Sequence, residues 1–242
     1  REQRIADAIA LKEPDRVPVI LGGTFFAPKY AGLPYSSAFY DPIGWKAAYA
    51  QMIADFYPDT WGTSGAQSGT ALDILESKTM LWSGGTLPPD VPQQNIDSEY
   101  MKEDEYDLFQ DDFTDFYVRR YLPRAYGALS PLAKLPGVGG GGAGFMGVLN
   151  SFNTPELQKV GEAMRRASEE QAKFRQALGN TAADMAILGL PPLTDGLGGG
   201  PGGPAFDQMA NTYRGWKGII TDMYRRPDKL IAAMEKINKG AM

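Results

Sequence analysis

The sequence contains no cysteine and no histidine. Without cysteine, these residues can form no disulfide and can offer no thiolate to a metal ion. Without histidine, they lack the side chain that most often acts as a general base or binds zinc. Acid–base chemistry within the chain must therefore use aspartate, glutamate, tyrosine or lysine. Two interpretations of this absence of cysteine and histidine stay open. It is due to chance in one sequence, or the metal ligands lie in a further part of a longer protein.

Long apolar runs and an excess of positive charge are also missing. No run approaches the ~18 apolar residues of a membrane span. The opening residues Arg1–Arg4 precede no apolar signal core, so we expect a cytoplasmic protein with no membrane contact. The net charge of -5 argues against a nucleic-acid partner, whose binding proteins are basic. A chain of 242 residues, 43% of them hydrophobic, can bury one sizeable core or two small ones. We expect a single domain over 1–242.

The first part of the chain alternates helix and strand patterns. A short helix with one apolar face precedes an apolar strand at Val17–Leu21. Asp41 and Pro42 are typical of a helix start, because Asp caps the free amides and Pro suits the first helical position. A second strand is predicted at residues 60–63. This order indicates a parallel sheet.

The middle of the chain breaks this rhythm. Residues 79–153 are too long for one ordinary connection between a strand and a helix. They contain a predicted helix over 109–126 and a glycine-rich loop at 137–147. We interpret the region as an insertion over the mouth of a barrel or as a subunit contact.

The last part of the chain returns to helix and strand patterns. Thr154 and Pro155 predict the start of a long helix, residues 184–190 predict a third strand, and Pro227 begins a last helix. Three strands are too few for a closed barrel. The sequence therefore predicts the N-terminal portion of an incomplete (β/α)8 TIM barrel, with a long insertion at about 79–153.

An ordered set of motifs resembles the uroporphyrinogen decarboxylase-like superfamily. The set comprises residues 13–19, 99–107, 204–207 and 222–230. The resemblance implies a TIM-barrel enzyme, either a tetrapyrrole decarboxylase or a cobalamin-linked methyltransferase. Residues 22–32 hold no arginine where the decarboxylase has an arginine-rich loop, and four carboxylate-bearing pyrroles need cationic partners.

The resemblance therefore favours methyl transfer between a small methylated compound and a corrinoid cofactor. It implies zinc and cobalamin in the full-length protein, with neither bound by this segment alone, and a corrinoid protein or a second copy as possible partners. The alternatives are tetrapyrrole decarboxylation and a non-catalytic binding module. No catalytic residue and no metal ligand is assigned.

The candidate site residues follow predicted strands or lie in an acidic stretch. In a barrel the carboxyl ends of the strands converge, so Phe25, Phe26 and Trp61 are expected to line one face. The alternatives are ordinary loop packing for the aromatic residues and a solvated charged face for the acidic ones. The predicted substrate-binding residues are Phe25, Phe26, Tyr30, Trp61, Ser64, Glu99, Tyr100 and Asp195.

Overall fold

Helices make up most of the structure, a computed structural model that describes residues 1–23, 25–62, 66–137, 144–187, 189–190 and 203–240. The helices are α1 (Glu2–Ile9), α2 (Phe26–Tyr30), α3 (Ser37–Tyr40), α4 (Pro42–Phe56), α5 (Gly69–Leu75), α6 (Tyr106–Asp111), α7 (Phe113–Phe116), α8 (Leu122–Ala125), α9 (Gly144–Ser151), α10 (Pro155–Leu178), α11 (Thr181–Ile187), α12 (Ala205–Gln208), α13 (Gly215–Arg225) and α14 (Pro227–Gly240). The strands are β1 (Ile20–Leu21), β2 (Thr60–Trp61), β3 (Met80–Leu81) and β4 (Gln94–Asn95). Within the described ranges, no helix is long and apolar enough to cross a membrane.

The chain forms two compact units. Unit 1 comprises Arg1–Thr70, Trp82–Gln93 and Glu170–Gly198, and unit 2 comprises Ala71–Leu81, Gln94–Glu169 and Gly199–Met242. Each unit has its own buried side chains.

Unit 1 is built on a parallel pair of strands. Ile20 pairs with Thr60 and Leu21 with Trp61, and the Gly62 amide donates a hydrogen bond to the Leu21 carbonyl at 2.9 Å. Helix α4 connects the strands, as a parallel crossover requires. The predicted parallel pairing of the first two strands is therefore confirmed.

The core of unit 1 is aromatic. Tyr49 of α4 stacks on Trp45 with ring centroids 4.8 Å apart and meets the edge of Trp61 at 5.7 Å. Tyr49 and Trp61 are almost fully buried, and each such side chain contributes roughly 1.5–3 kcal/mol of hydrophobic stabilisation. The Trp61 indole N–H donates to the Leu190 carbonyl at 3.0 Å, which satisfies its buried polar atom.

The predicted (β/α)8 TIM barrel is wrong. The described residues contain one parallel and one antiparallel two-stranded sheet, and these do not make a barrel. The third predicted strand, at 184–190, falls largely within helix α11. The Asn180 side chain caps that helix by accepting from the Ala183 amide at 3.0 Å. A short apolar run does not distinguish a strand from a helix, and here the cap and the alanine-rich sequence favour the helix.

Residues 79–153, expected as an insertion, supply much of the core of unit 2. In that core Tyr213 is ringed by aromatic side chains. Its ring centroid lies 5.3 Å from Phe109, 5.5 Å from Tyr121 and 6.0 Å from Phe116. All of these pairs are edge-to-face, the arrangement that aromatic quadrupoles prefer. Strands β3 and β4 pair in antiparallel register in the same unit.

The helix predicted over 109–126 is broken into shorter pieces. Helix α6 ends at Asp111, and the Asp112 side chain then caps α7 by accepting from the Asp115 amide at 2.9 Å. A π-helical turn at Tyr117–Tyr121 follows, next to Pro123, which has no amide proton to donate within a helix. A second π-helical turn, Met209–Arg214, precedes α13, and a 3-10 helix spans Gly127–Lys134.

Several predicted helix boundaries are confirmed. Helix α10 begins at Pro155, where the Thr154 hydroxyl accepts from the Leu157 amide at 3.4 Å, and α14 begins at Pro227. The glycine-rich loop predicted at 137–147 falls partly outside the described residues, and its last part, from Gly144, is helix α9.

The cap of α4 gives a test of this local structure. The Asp41 side chain accepts from the Gly44 amide at 2.9 Å, and Pro42 occupies the first turn. We expect Asp41→Ala to lower the free energy of unfolding by about 1 kcal/mol and Asp41→Asn to cost much less, because Asn can cap in the same way. Urea denaturation of both variants measures this. An Asp41→Ala variant as stable as the wild type would contradict the capping role.

Candidate functional site

Glycines follow both strands of the parallel pair. Gly22 and Gly23 follow β1, and Gly62 follows β2. Among the described residues, and apart from their chain neighbours, no atom would lie within 4 Å of a Cβ added at Gly22 or Gly62. Ser64, predicted as a site residue after the second strand, lies outside the described residues. Glycine in such a position allows close approach of a ligand to the backbone.

Three exposed rings beside this segment form what we call the aromatic surface: Phe26, Tyr30 and Phe56. The ring centroid of Phe26 lies 5.9 Å from Tyr30 and 5.6 Å from Phe56, and Tyr30 lies 5.2 Å from Phe56. The exposed fractions of the three residues are 46%, 43% and 50%. The Tyr30 hydroxyl donates to Asp55 at 3.1 Å, and this hydrogen bond raises the pKa of Tyr30. Apolar rings and one polar group are therefore available on the same patch.

Phe25 and Trp61, which were expected to line one face with Phe26, have different neighbours. Phe25 meets the edge of Tyr35 at 5.3 Å. Trp61 is only 1% exposed and packs in the core of unit 1, so it presents no open surface. A role for these residues in substrate binding stays a prediction. Among the predicted residues that the structure describes, Phe26 and Tyr30 stack on each other.

A buried carboxylate lies just before β2. Asp59 accepts hydrogen bonds from Arg16 Nη2 at 2.8 Å, from the Val19 amide at 2.8 Å and from Arg4. Burial would raise the pKa of Asp59, but the Val19 amide and the guanidinium groups outweigh it and hold that pKa below its usual value. Arg4 also binds Asp15, and this hydrogen bond lowers the pKa of Asp15 to about 2. The turn formed by Pro14, Asp15 and Arg16 is therefore held by ion pairs to Arg4 and Asp59.

Unit 2 holds a second buried carboxylate that the sequence did not indicate. Asp222 of α13 accepts from Arg214 Nε at 2.7 Å, from the Tyr106 hydroxyl at 2.8 Å and from Arg226 Nη1 at 3.1 Å. Asp222 and Arg214 are almost completely inaccessible to solvent. Burial would raise the pKa of Asp222, but the hydrogen bond and the charge of Arg214 lower it. Burial also raises the pKa of Tyr106. Because its oxygens are occupied, Asp222 is not a free general base.

The predicted acidic stretch is partly core. Tyr100 is buried and donates its hydroxyl proton to the Lys78 carbonyl, which indicates a packing role. Glu99 is half exposed, and its Oε1 lies 3.6 Å from Arg214 Nη1. Glu105 accepts from both terminal nitrogens of Arg124, at 2.6 and 2.7 Å. Asp195, the last predicted site residue, lies outside the described residues.

The donor set does not fit zinc. The sequence has no histidine or cysteine, and the part of the chain that the structure describes holds no group of three acidic residues that could bind a metal ion. The described ionisable clusters are closed ion pairs. Among the described residues of unit 1, the glycines after the strands and the aromatic surface lie outside these ion pairs and are accessible to a ligand.

Asp222 gives a test with a defined pH dependence. Removing one partner of a buried ion pair leaves the other charge uncompensated, so we expect Asp222→Asn to lower the free energy of unfolding by about 3–5 kcal/mol at pH 7. The pKa of Asp222 is depressed in the folded protein. The stabilisation by its ionised carboxylate is therefore present above the unfolded-state pKa of about 3.9, and it is lost as the pH falls through the pKa of the folded state. Urea denaturation from pH 7 to pH 3 measures the difference.

The matched control is Glu103→Gln, which removes an exposed partner of Arg226. We expect that variant to change stability by less than about 1 kcal/mol at any pH, as is usual for exposed pairs. An Asp222→Asn penalty that stayed the same at pH 3 as at pH 7 would contradict the assigned ionisation.

Comparison with known proteins identifies no relative of this chain. No family model, no curated protein and no solved structure matches it. The resemblance to the uroporphyrinogen decarboxylase-like superfamily therefore stays a prediction from the sequence motifs.

Proposed function

We propose that the chain binds a small, apolar, methylated compound at the aromatic surface. The observation that carries the proposal is the grouping of Phe26, Tyr30 and Phe56, whose ring centroids lie within 6 Å of each other while roughly half of each side chain stays exposed. Exposed apolar patches of this kind often mark binding sites.

The rings and the Tyr30–Asp55 pair suit a ligand with one planar apolar part and one polar substituent. Aromatic pairs prefer offset-stacked or edge-to-face contacts, and each adds about 0.5–1.5 kcal/mol beyond the area that it buries. Asp55, which accepts from the Tyr30 hydroxyl at 3.1 Å, offers a further acceptor to a ligand hydroxyl. A methoxyphenol has both features and is the simplest representative of the class.

The motif resemblance supports methyl transfer as the reaction of the whole protein, with a corrinoid protein as the partner and a cytoplasmic location. In that proposal these residues bind and orient the methylated compound. Any zinc ligands are assigned outside this sequence, because the chain has no histidine or cysteine. No chemical step is assigned to the described residues.

A non-catalytic binding module is the second candidate. It is favoured by the same absence of histidine and cysteine and by the closed ion pairs of Asp59 and Asp222, which leave neither carboxylate free for catalysis. Such a module would use the aromatic surface for binding without turnover. Conversion of guaiacol to catechol by the full-length protein, supplied with zinc and with reduced cobalamin as the methyl acceptor, would separate the two candidates, since only the enzyme yields catechol.

Binding of guaiacol tests the site itself. We expect Phe56→Ala to weaken guaiacol binding about three- to tenfold, because one aromatic contact is worth about 0.5–1.5 kcal/mol. Saturation-transfer NMR and isothermal titration calorimetry measure the affinity.

The matched control is Phe145→Ala, which removes an exposed phenylalanine of α9 in unit 2. It should leave the affinity unchanged. Equal affinities for wild type, Phe56→Ala and Phe145→Ala would contradict the proposed site, as would a wild-type protein that binds no guaiacol.

A further inference from the structure

Unit 1 contains a cavity that the proposed function does not use. Its volume is about 930 Å³, and its lining includes three arginines, Arg1, Arg4 and Arg16, together with Tyr57. Cavities of about 300–1,000 Å³ are the usual size for small-molecule sites. Tyr57 ends α4 with a backbone φ of 47°, in the left-handed region, and its side chain is mostly exposed.

The charges of two of these arginines are balanced within the fold. Arg4 and Arg16 share the Asp59 carboxylate, and Arg4 also binds Asp15. The Arg16 side chain remains 45% exposed. These two arginines therefore line the cavity with guanidinium groups that ion pairs hold in place.

The third arginine has no carboxylate partner in the described part of the chain. Arg1 Nη1 donates to the Gly189 carbonyl at 2.5 Å, and the guanidinium lies 3.9 Å from the centroid of the Tyr57 ring. Arg1 Nη2 is shielded from solvent and has no hydrogen-bond acceptor among the described residues. A charged N–H donor that is shielded from solvent without an acceptor destabilises the protein. Binding of a ligand whose oxygens accept from the Arg1 guanidinium in the cavity is therefore favoured.

We infer that this cavity binds a small organic anion through a phosphate or carboxylate group. The anionic group is held by Arg1 and Arg16, and the rest of the ligand lies against Tyr57. Guanidinium groups form bidentate hydrogen bonds with phosphate oxygens and with carboxylate oxygens. A phosphate and a carboxylate therefore fit the same site. The same lining holds one carboxylate, that of Glu2.

The test measures binding of inorganic phosphate and of malonate to the whole chain, by calorimetry and by the shift in Tm. We expect saturable binding of at least one of them and a rise in Tm, because a ligand that binds only the folded state stabilises it. Arg1→Gln should weaken that binding about tenfold, the loss expected for one charge-assisted hydrogen bond. Sodium chloride at matched ionic strength separates specific binding from screening.

The control variant is Arg165→Gln, which removes an exposed arginine of α10 paired with Glu162 and Glu169. It should bind the anion as the wild type does, and circular dichroism checks that both variants are folded. Preference for phosphate or for malonate identifies the ligand class. No saturable binding of either anion, an equal effect of chloride, or an equal loss in both variants would overturn the inference.

Discussion

The carboxylate of Asp59 connects four parts of unit 1. Asp59 precedes β2, and its oxygens accept from Arg4 on α1, from Arg16 in the turn and from the Val19 amide next to β1. A buried carboxylate needs such partners, because its desolvation is otherwise very costly. With two strands of two residues each, backbone pairing alone is marginal, so this side chain fixes how β1 lies beside β2. The same interaction holds two of the arginines that line the cavity.

In unit 2 the buried carboxylate of Asp222 has the same role. Its partners come from α6, from the π-helical turn before α13 and from the end of α13, so one carboxylate joins elements that are distant in sequence. The buried carboxylates Asp59 and Asp222 both accept hydrogen bonds from arginine, and Asp222 also accepts from tyrosine, which indicates a structural role. The features that remain open to ligands are the aromatic surface and the arginine-lined cavity. The first suits an apolar ring, and the second suits an anion.

Local signals in the sequence predicted local structure well. Asp41–Pro42, Thr154–Pro155 and Pro227 mark true helix starts, because capping and proline geometry are properties of a few adjacent residues. The parallel pairing of the first two strands was also predictable. The barrel prediction was wrong because it assigned residues 184–190 to a third strand, where the Asn180 cap favours a helix. Residues 79–153 were interpreted as an insertion or a subunit contact, but their aromatic side chains supply much of the core of unit 2. Of the site, Phe26 and Tyr30 were predicted. Phe56, Asp59 and Asp222 were not, since their contacts join residues far apart in sequence.

The ionisation of Asp59 tests the account most directly. Carbon-13 NMR of the Asp59 carboxyl group, followed from pH 7 to pH 2, reports its pKa in the folded protein. We expect that pKa to lie below the unperturbed value of about 3.9, because the Val19 amide, Arg4 and Arg16 all favour the charged form. Arg16→Gln should move it upward. A pKa of Asp59 at or above the unperturbed value, unchanged by Arg16→Gln, would show that this carboxylate does not organise unit 1.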